Sequence, residues 1–434
     1  MANIKIKKLT FSKAKHLLTK KSRTKSHPEV YKVVEKIISS VKKNGNKALI
    51  KISNDIDKTE FKNISSATFS KSDFKKNYDK LDSKTKKNLN FLKKRIINFH
   101  NQIKINDHKI TDDVFSFLGQ IYRPIEKIGI YAPGGRAVYP SSILMTSLIA
   151  KLAGSKEINL FFPSSLIKAQ ELMLATAHIA GIENAYNIGG AQAIAAMAYG
   201  TETISKSDKI FGPGNKYVAE AKRQVFGDVG IDSFAGPSEV LIISDKKDNF
   251  NKLAADLIAQ AEHGDDSKCI FIQIGKMSSD DLFLSLNEQI VLEPRKQTIK
   301  KSLERNGLFI NVDTLSEAMQ ISNIVGPEHL QIVVENFKKS ILKNLSAGAI
   351  FIGENNTAVL GDYAAGPSHV IPTNSSAKFS SPVSLEDFMV RSSVTNINKI
   401  KNKKEYNRLL DNSIFIAELE GLFGHANALK LRRK

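Results

Sequence analysis

The sequence predicts an α/β protein built on two doubly wound, Rossmann-like parallel sheets, with small helical extensions at its N- and C-terminal ends. Three observations carry that prediction. At 434 residues the chain exceeds the roughly 250–300 residues at which a single core stops growing, so two principal domains are expected. Short β-rich apolar runs alternate with helical segments through most of its length, a pattern that belongs to a parallel sheet with helices on both faces. Glycine and proline gather in loops after these runs, where an open α/β sheet places its ligand contacts.

Taken in order, residues 1–24 form an N-terminal extension with charge scattered through it and no apolar stretch ahead of a small-residue cleavage site, so secretion is not expected. From Pro28 to Lys104, "VYKVVEKIISSVKK" and "KTKKNLNFLKKRIINFH" space their apolar residues by three and four, which predicts a helical arm or pair. "EKIGIYA", "KEINLFF", "NAYNIGG" and "DKIFGPG" then read as strands, separated by helices such as "LIKAQELMLATAHIAG" and "NKYVAEAKRQVFG". A second round starts near residue 237. It runs through "EVLIISD", a helix in "NKLAADLIAQAEHG", "KCIFIQIG", a helix near 279–292, "GLFINVD", another helix, "HLQIVV" and "AGAIFIG". From about Ser381 the chain turns polar and helical again. We expect a larger discontinuous α/β domain over 25–131 and 237–381, a second α/β domain over 132–236, and a C-terminal helical segment over 382–434.

Composition narrows the function classes. The longest apolar stretch, Ser141 to Ala150, falls well short of the ~20 residues a membrane span needs. A single cysteine, Cys269, excludes an internal disulfide and a thiolate metal cluster, and fits a cytoplasmic location. The net charge of +20 would suit nucleic acid. Yet the lysines lie in short runs without interleaved aromatics, and no zinc-finger, RNP or basic-zipper pattern occurs, so the charge reads as a solvated surface and neither a nucleic acid nor a membrane is expected as partner.

Five glycine- and proline-rich loops stand out: "YAPGGR" (131–136), "NIGGAQA" (187–193), "FGPGNK" (211–216), "FAGPSE" (234–239) and "GDYAAGPSH" (361–369). They place Gln192, Asn215 and Ser238 to exchange hydrogen bonds with a ligand. No G-x-G-x-x-G fingerprint is present, although a "PGG" turn can approach a pyrophosphate. In "NIVGPEHLQIVV", Glu328 and His329 stand at the mouth of a strand, where both can reach one cleft and offer two titrating groups for repeated proton transfer. The helix "NKLAADLIAQAEH" is expected to be capped by Gly264, with Gln260 and His263 on one face of its last turn. Alone, that arrangement is more often a C-cap than a metal site. A zinc ion would need a carboxylate and another histidine from elsewhere, for which Asp362 and His425, both beside glycine, are candidates. His16, His27, His100, His108 and His178 suit structural or solvated roles.

The segments "IGIYAPGGRA", "GGAQAIAAMAYGTE", "DKIFGPGNKYVAEAKRQV", "IDSFAGPSEVLIISD", "QAEHGDDS", "GPEHL", "GDYAAGPSHVIPT", "AKFSSPVSLEDF" and "GHANALKLR" resemble, in this order, the signature segments of the histidinol dehydrogenase family. The resemblance runs from about residue 25 to the C-terminus. It implies a homodimer, dependent on zinc (one ion per subunit) and on NAD, that oxidises L-histidinol through L-histidinaldehyde to L-histidine in the last steps of histidine biosynthesis. The implied zinc ligands are Gln260, His263, Asp362 and His425, the last supplied by the partner subunit because the family's C-terminal segment crosses the dimer. Glu420 of that segment and Ser238 would contact substrate, together with His329 and the zinc ligands. Tyr131, Gln192 and Asn215 would line the NAD site, and Glu328 and His329 would be the acid–base pair. A zinc- and NAD-dependent dehydrogenase of another small alcohol is the nearest alternative. Ser368 stands where the family more often has asparagine, and it touches no implied ligand.

Overall fold

The computed structural model describes residues 4–20, 28–134, 139–164, 166–234, 236–246, 248, 250–275 and 279–433. The expected turn residues Gly135, Arg136 and Ala235, and His27, lie outside them. The chain divides into two compact units, Met1–Ile103 with Ile125–Phe388, and Lys104–Pro124 with Met389–Lys434.

The first unit opens with β1 (Lys7–Thr10), α1 (Phe11–Lys20), α2 (Pro28–Asp57), β2 (Thr68–Phe69), α3 (Lys71–Lys80) and α4 (Ser83–Gln102). After β3 (His108–Ile110) and β4 (Phe117–Pro124), which belong to the second unit, the chain winds twice. The first round is β5 (Lys127–Tyr131), α5 (Pro140–Ala153), β6 (Glu157–Phe161), α6 (Ile167–Ala180), β7 (Asn184–Tyr186), α7 (Gly190–Tyr199), β8 (Lys209–Phe211), α8 (Lys216–Val225) and β9 (Gly230–Ile231). The second is β10 (Glu239–Ser244), α9 (Phe250–Ala261), β11 (Lys268–Ile274), α10 (Asp280–Ile290), α11 (Lys296–Asn306), β12 (Leu308–Val312), α12 (Leu315–Val325), β13 (His329–Val333), β14 (Ala349–Ile352) and α13 (Ala358–Tyr363).

Two six-stranded sheets result, in the orders β2-β7-β6-β5-β8-β9 and β1-β12-β11-β10-β13-β14. Counted from the first strand of each round, both read 3-2-1-4-5, the doubly wound order, with the direction reversing between β5 and β8 and between β10 and β13. The predicted fold class is therefore present. Central strands read as unbroken apolar runs because helices cover both faces. In β10, Val240 and Ile242 enter one core while Leu241 and Ile243 enter the core on the opposite face. The long apolar stretch Ser141–Ala150 is the fully buried middle of α5.

The sheets partition the chain differently from the expected boundaries. β1 of the N-terminal extension pairs with β12 of the second round. β2 and β5, from within residues 25–131, join the first-round sheet instead, and Val34 and Leu49 of α2 share a core with α7 and α8.

The second unit holds an antiparallel sheet, β15-β4-β3, in which β15 (Met389–Asn396) pairs along its whole length with β4. Two helices follow, α14 (Lys403–Leu419) and α15 (Phe423–Lys430). A small core of Val114, Tyr406, Leu410, Ile414, Ala417 and Ala426 holds them. The expected C-terminal helical segment over 382–434 thus carries its two helices and, in addition, the strand β15. β15 is mostly exposed and mostly polar, without a clear apolar alternation, so sequence does not separate it from a loop. Among the described residues no helix is long and apolar enough to cross a membrane.

Candidate active site

β10 and β13 lie side by side, with Val240 level with His329, so Ser238–Glu239 and Glu328–His329 open together at the amino ends of the second sheet. α9 runs back between β10 and β11 and delivers Gln260 and His263 to that same edge. This corrects the expectation that every ligand loop lies beyond carboxyl ends: it holds for the first sheet, while the second offers its amino ends. α5, which follows β5 of the first round, meets this edge. Its Ser142 Oγ lies 2.9 Å from His369 Nε2, and His369 Nδ1 lies 2.8 Å from the Asp362 carbonyl oxygen.

The last turn of α9 also differs from expectation. The helix stops at Ala261, His263 lies in the following turn with its N–H donated to the Gln260 carbonyl, and Gly264 is not left-handed. Gln260 and His263 remain together, held by the turn rather than by a glycine cap.

Burial sets the protonation of the pair expected to act as acid and base. Glu328, 8% exposed, accepts the Glu239 N–H at 2.8 Å. Desolvation pushes its carboxyl well above the ordinary range, and the charges of Glu239 and Asp362 push the same way. His329 is 5% exposed, and neither ring nitrogen has a hydrogen-bond partner. Its Nε2 lies 3.6 Å from Asp362 Oδ1. Burial, with His263 and His369 nearby, lowers its pKa to about 4, so the ring is a neutral base at neutral pH. Burial raises Asp362 to about 7. His263 is exposed by surface area, yet desolvation by the protein packed around its ring lowers its pKa, and the Arg295 charge adds to that.

Gln260, 6% exposed, has an unpartnered Nε2. A buried amide without a partner, a neutral imidazole and a desolvated carboxylate on one edge form a donor set that a divalent cation would satisfy. Among the described residues, no three His, Cys, Asp or Glu side chains gather closely enough to hold a metal by themselves. The first unit supplies two such side chains, His263 and Asp362, plus the Gln260 amide. Glu420, at the C-cap of α14, and His425, in the first turn of α15, are exposed residues of the second unit.

The other three expected residues gather at the carboxyl ends of the first sheet. Tyr131, Gln192 and Asn215 line one cavity of about 570 Å³, with Gly134, Gly190 and Gly214. The Tyr131 hydroxyl accepts the Gly190 N–H at 3.2 Å, and its pKa is pushed up to about 12, mostly by burial. Asn215 Oδ1 caps α8 by accepting from the N–H groups of Tyr217 and Val218, which leaves the amide nitrogen to donate. The first turns of α7 and α8 open onto the cavity, where their N–H groups favour a phosphate. Gly212 has φ +110°, and a Cβ there would lie 1.9 Å from the Tyr131 carbonyl oxygen.

Sequence reasoning missed Asp57 of α2, which lines the cavity and accepts from Gln192 Nε2 at 2.9 Å. It also missed Ser142 and left His369 without a role; the "GPSH" motif was the available signal. His100 proves fully buried, with both ring nitrogens unpartnered.

A family model described as histidinol dehydrogenase matches residues 20–433. The chain is 40% identical over 411 residues, 95% of each chain, to the histidinol dehydrogenase of Neisseria gonorrhoeae. It is 40% identical over 416 residues to that of Clostridium acetobutylicum, covering 96% of this chain and 95% of the relative. The solved structure of histidinol dehydrogenase from Elizabethkingia anophelis is similar with a TM-score of 0.91 at 34% identity, covering 100% of this chain and 99% of that one. An acetylating aldehyde dehydrogenase from Geobacillus thermoglucosidasius, 13% identical with a TM-score of 0.50 over 90% of this chain and 97% of that one, is similar in fold alone.

Proposed function

The chain belongs to the histidinol dehydrogenase family and is an NAD-dependent oxidoreductase, and on that premise we propose that it oxidises L-histidinol to L-histidine through L-histidinaldehyde, using two NAD and one zinc ion per subunit. The observation that carries the reading is the buried Glu328–His329 pair, its imidazole neutral and unpartnered, opening on the edge that holds Gln260, His263 and Asp362.

Gln260, His263 and Asp362 hold the metal in this reading, with His425 of the partner subunit. Tyr131, Gln192 and Asn215 bind NAD. When bound, zinc supplies a redox-inert charge that orients the imidazole and amino nitrogens of the substrate, and NAD supplies the hydride acceptor. Ser238 and Glu420 fix the rest of the substrate. His329 takes the hydroxyl proton as the first hydride leaves. Glu328 then takes a proton from the water that adds to the aldehyde while His329 returns its proton to the carbonyl oxygen, and His329, neutral again, takes one from the resulting gem-diol as the second hydride leaves to the second NAD. One pair of bases thus serves both oxidations, and the aldehyde stays enclosed between them.

The enzyme is proposed to work as a cytoplasmic homodimer. Measuring NADH formed per L-histidinol consumed, against a panel of other small alcohols, tests the function. Two NADH per histidinol are expected, with loss on chelation and recovery with zinc. No turnover of histidinol would sink the substrate assignment, and turnover indifferent to chelation would sink the metal.

A further inference from the structure

One carboxylate outside the expected site is bonded to each of two elements that enter it. Asp256 stands one turn before Gln260 on α9. Its Oδ2 accepts from Gln331 Nε2 at 2.7 Å, and its Oδ1 accepts from Thr357 Oγ1 at 2.6 Å. Gln331, 1% exposed, lies two residues along β13 from His329. The Thr357 hydroxyl is also the N-cap of α13, accepting the Val359 N–H at 3.3 Å, and α13 carries Asp362.

The spacings match. Four residues of helix advance about 6 Å, and two residues of strand advance about 6.6 Å. Bonding Asp256 to Gln331 therefore sets Gln260 level with His329. α13 has six residues, few enough that the cap at Thr357, with the His369 contact to the Asp362 carbonyl, helps to fix where Asp362 points.

We propose that Asp256 is a positioning residue whose carboxylate, through Gln331 and Thr357, holds His329 and Asp362 in register with Gln260 and thereby sets the affinity of the site for zinc. The inference rests on the reading of Gln260, His263 and Asp362 as zinc ligands. Packing alone would predict something different: lost stability with unchanged metal affinity.

Zinc affinity measured on the full-length protein by competition with a chromophoric chelator separates the two, with melting temperature and the KM for NAD recorded alongside. Asp256→Ala is expected to weaken zinc binding by about 10–100-fold, as loss of groups that orient metal ligands commonly does. Asp256→Asn, whose amide still accepts from Thr357, should recover part of the loss. The KM for NAD should hold, because the cavity belongs to the other sheet. Thr357→Val, which removes the hydroxyl and leaves α9 intact, gives the same expectation if Asp256→Ala does not fold, and Thr357→Ser should restore parental affinity. Zinc affinity within about twofold of the parent in the folded Ala and Val variants would overturn the proposal. His263→Asn is the control. If it binds zinc like the parent, the ligand reading falls and takes the proposal with it; if it loses zinc while the Asp256 and Thr357 variants keep it, the proposal alone falls.

Discussion

Glu328 and His329 are neighbours in sequence on which burial acts in opposite directions. It penalises charge on each, which raises the carboxyl and lowers the imidazole, so both tend toward neutrality. A neutral imidazole is free to accept a proton, and burial makes the Glu328 carboxylate a stronger base than an ordinary one. That asymmetry suits the division of labour proposed for them, with His329 acting in both hydride steps and Glu328 acting on water between them. Removing a positioned acid or base costs about 10²–10⁴-fold in rate. In a single-turnover experiment with excess NAD, Glu328→Gln should release one NADH per site at a near-parental rate and then stall, because the glutamine still fills the space and can accept the Glu239 N–H. His329→Asn should slow the first NADH as well. Two NADH per site at parental rate from Glu328→Gln would remove Glu328 from the chemistry.

The loops that build the cavity proposed for NAD depend on close approach of one element to another. Gly212 follows β8 directly with φ +110°, its missing Cβ facing the Tyr131 carbonyl of β5. Gly212→Ala would add backbone strain to a steric clash, costing more than about 1 kcal/mol. It should lower the melting temperature and raise the KM for NAD several-fold, with zinc binding intact; an unchanged KM would argue that this loop does not shape the cofactor site. Elements differ in how far the sequence announces them. The central strands of both sheets were legible, since runs such as "EVLIIS" can satisfy so much apolar surface only between two helical layers. β1, β2 and β15 were not, being short or polar edge strands whose partners lie far along the chain. The motifs carried the identity of the candidate residues, but not their geometry. Nothing in "QAEHGDD" says that the helix stops before His263, and nothing in "AADLIAQ" says that Asp256 is bonded to Gln331 of β13 and to the N-cap of α13, because those bonds join segments distant in sequence.

At the scale of the whole molecule, the zinc site proposed above draws three donors from the first unit, Gln260, His263 and Asp362, where a tetrahedral zinc ion asks for more. The second unit exposes Phe415, Ile416, Leu419 and Phe423 on α14 and α15, with Leu422 and Leu431 at the caps of α15, an apolar surface of the kind that marks contact with another protein. A second copy of the chain that covers this surface and brings the partner subunit's His425 to the metal would answer both. If so, His263→Asn and His425→Asn should each abolish activity as pure dimers, since every site lacks a ligand. In a heterodimer of the two variants, one site combines both damaged contributions and the other combines both intact ones. Random exchange makes half of the dimers mixed, so denaturing and refolding an equimolar mixture should restore about a quarter of parental activity and about one zinc ion per two dimers in intact sites. A control mixture of His263→Asn with Asp362→Asn should restore nothing, because both lesions fall on the same chain's contribution. Failure of the first mixture, with mixed dimers verified by mass, would mean that each chain completes its own site, and the shared-site arrangement would be wrong even if the zinc chemistry stood.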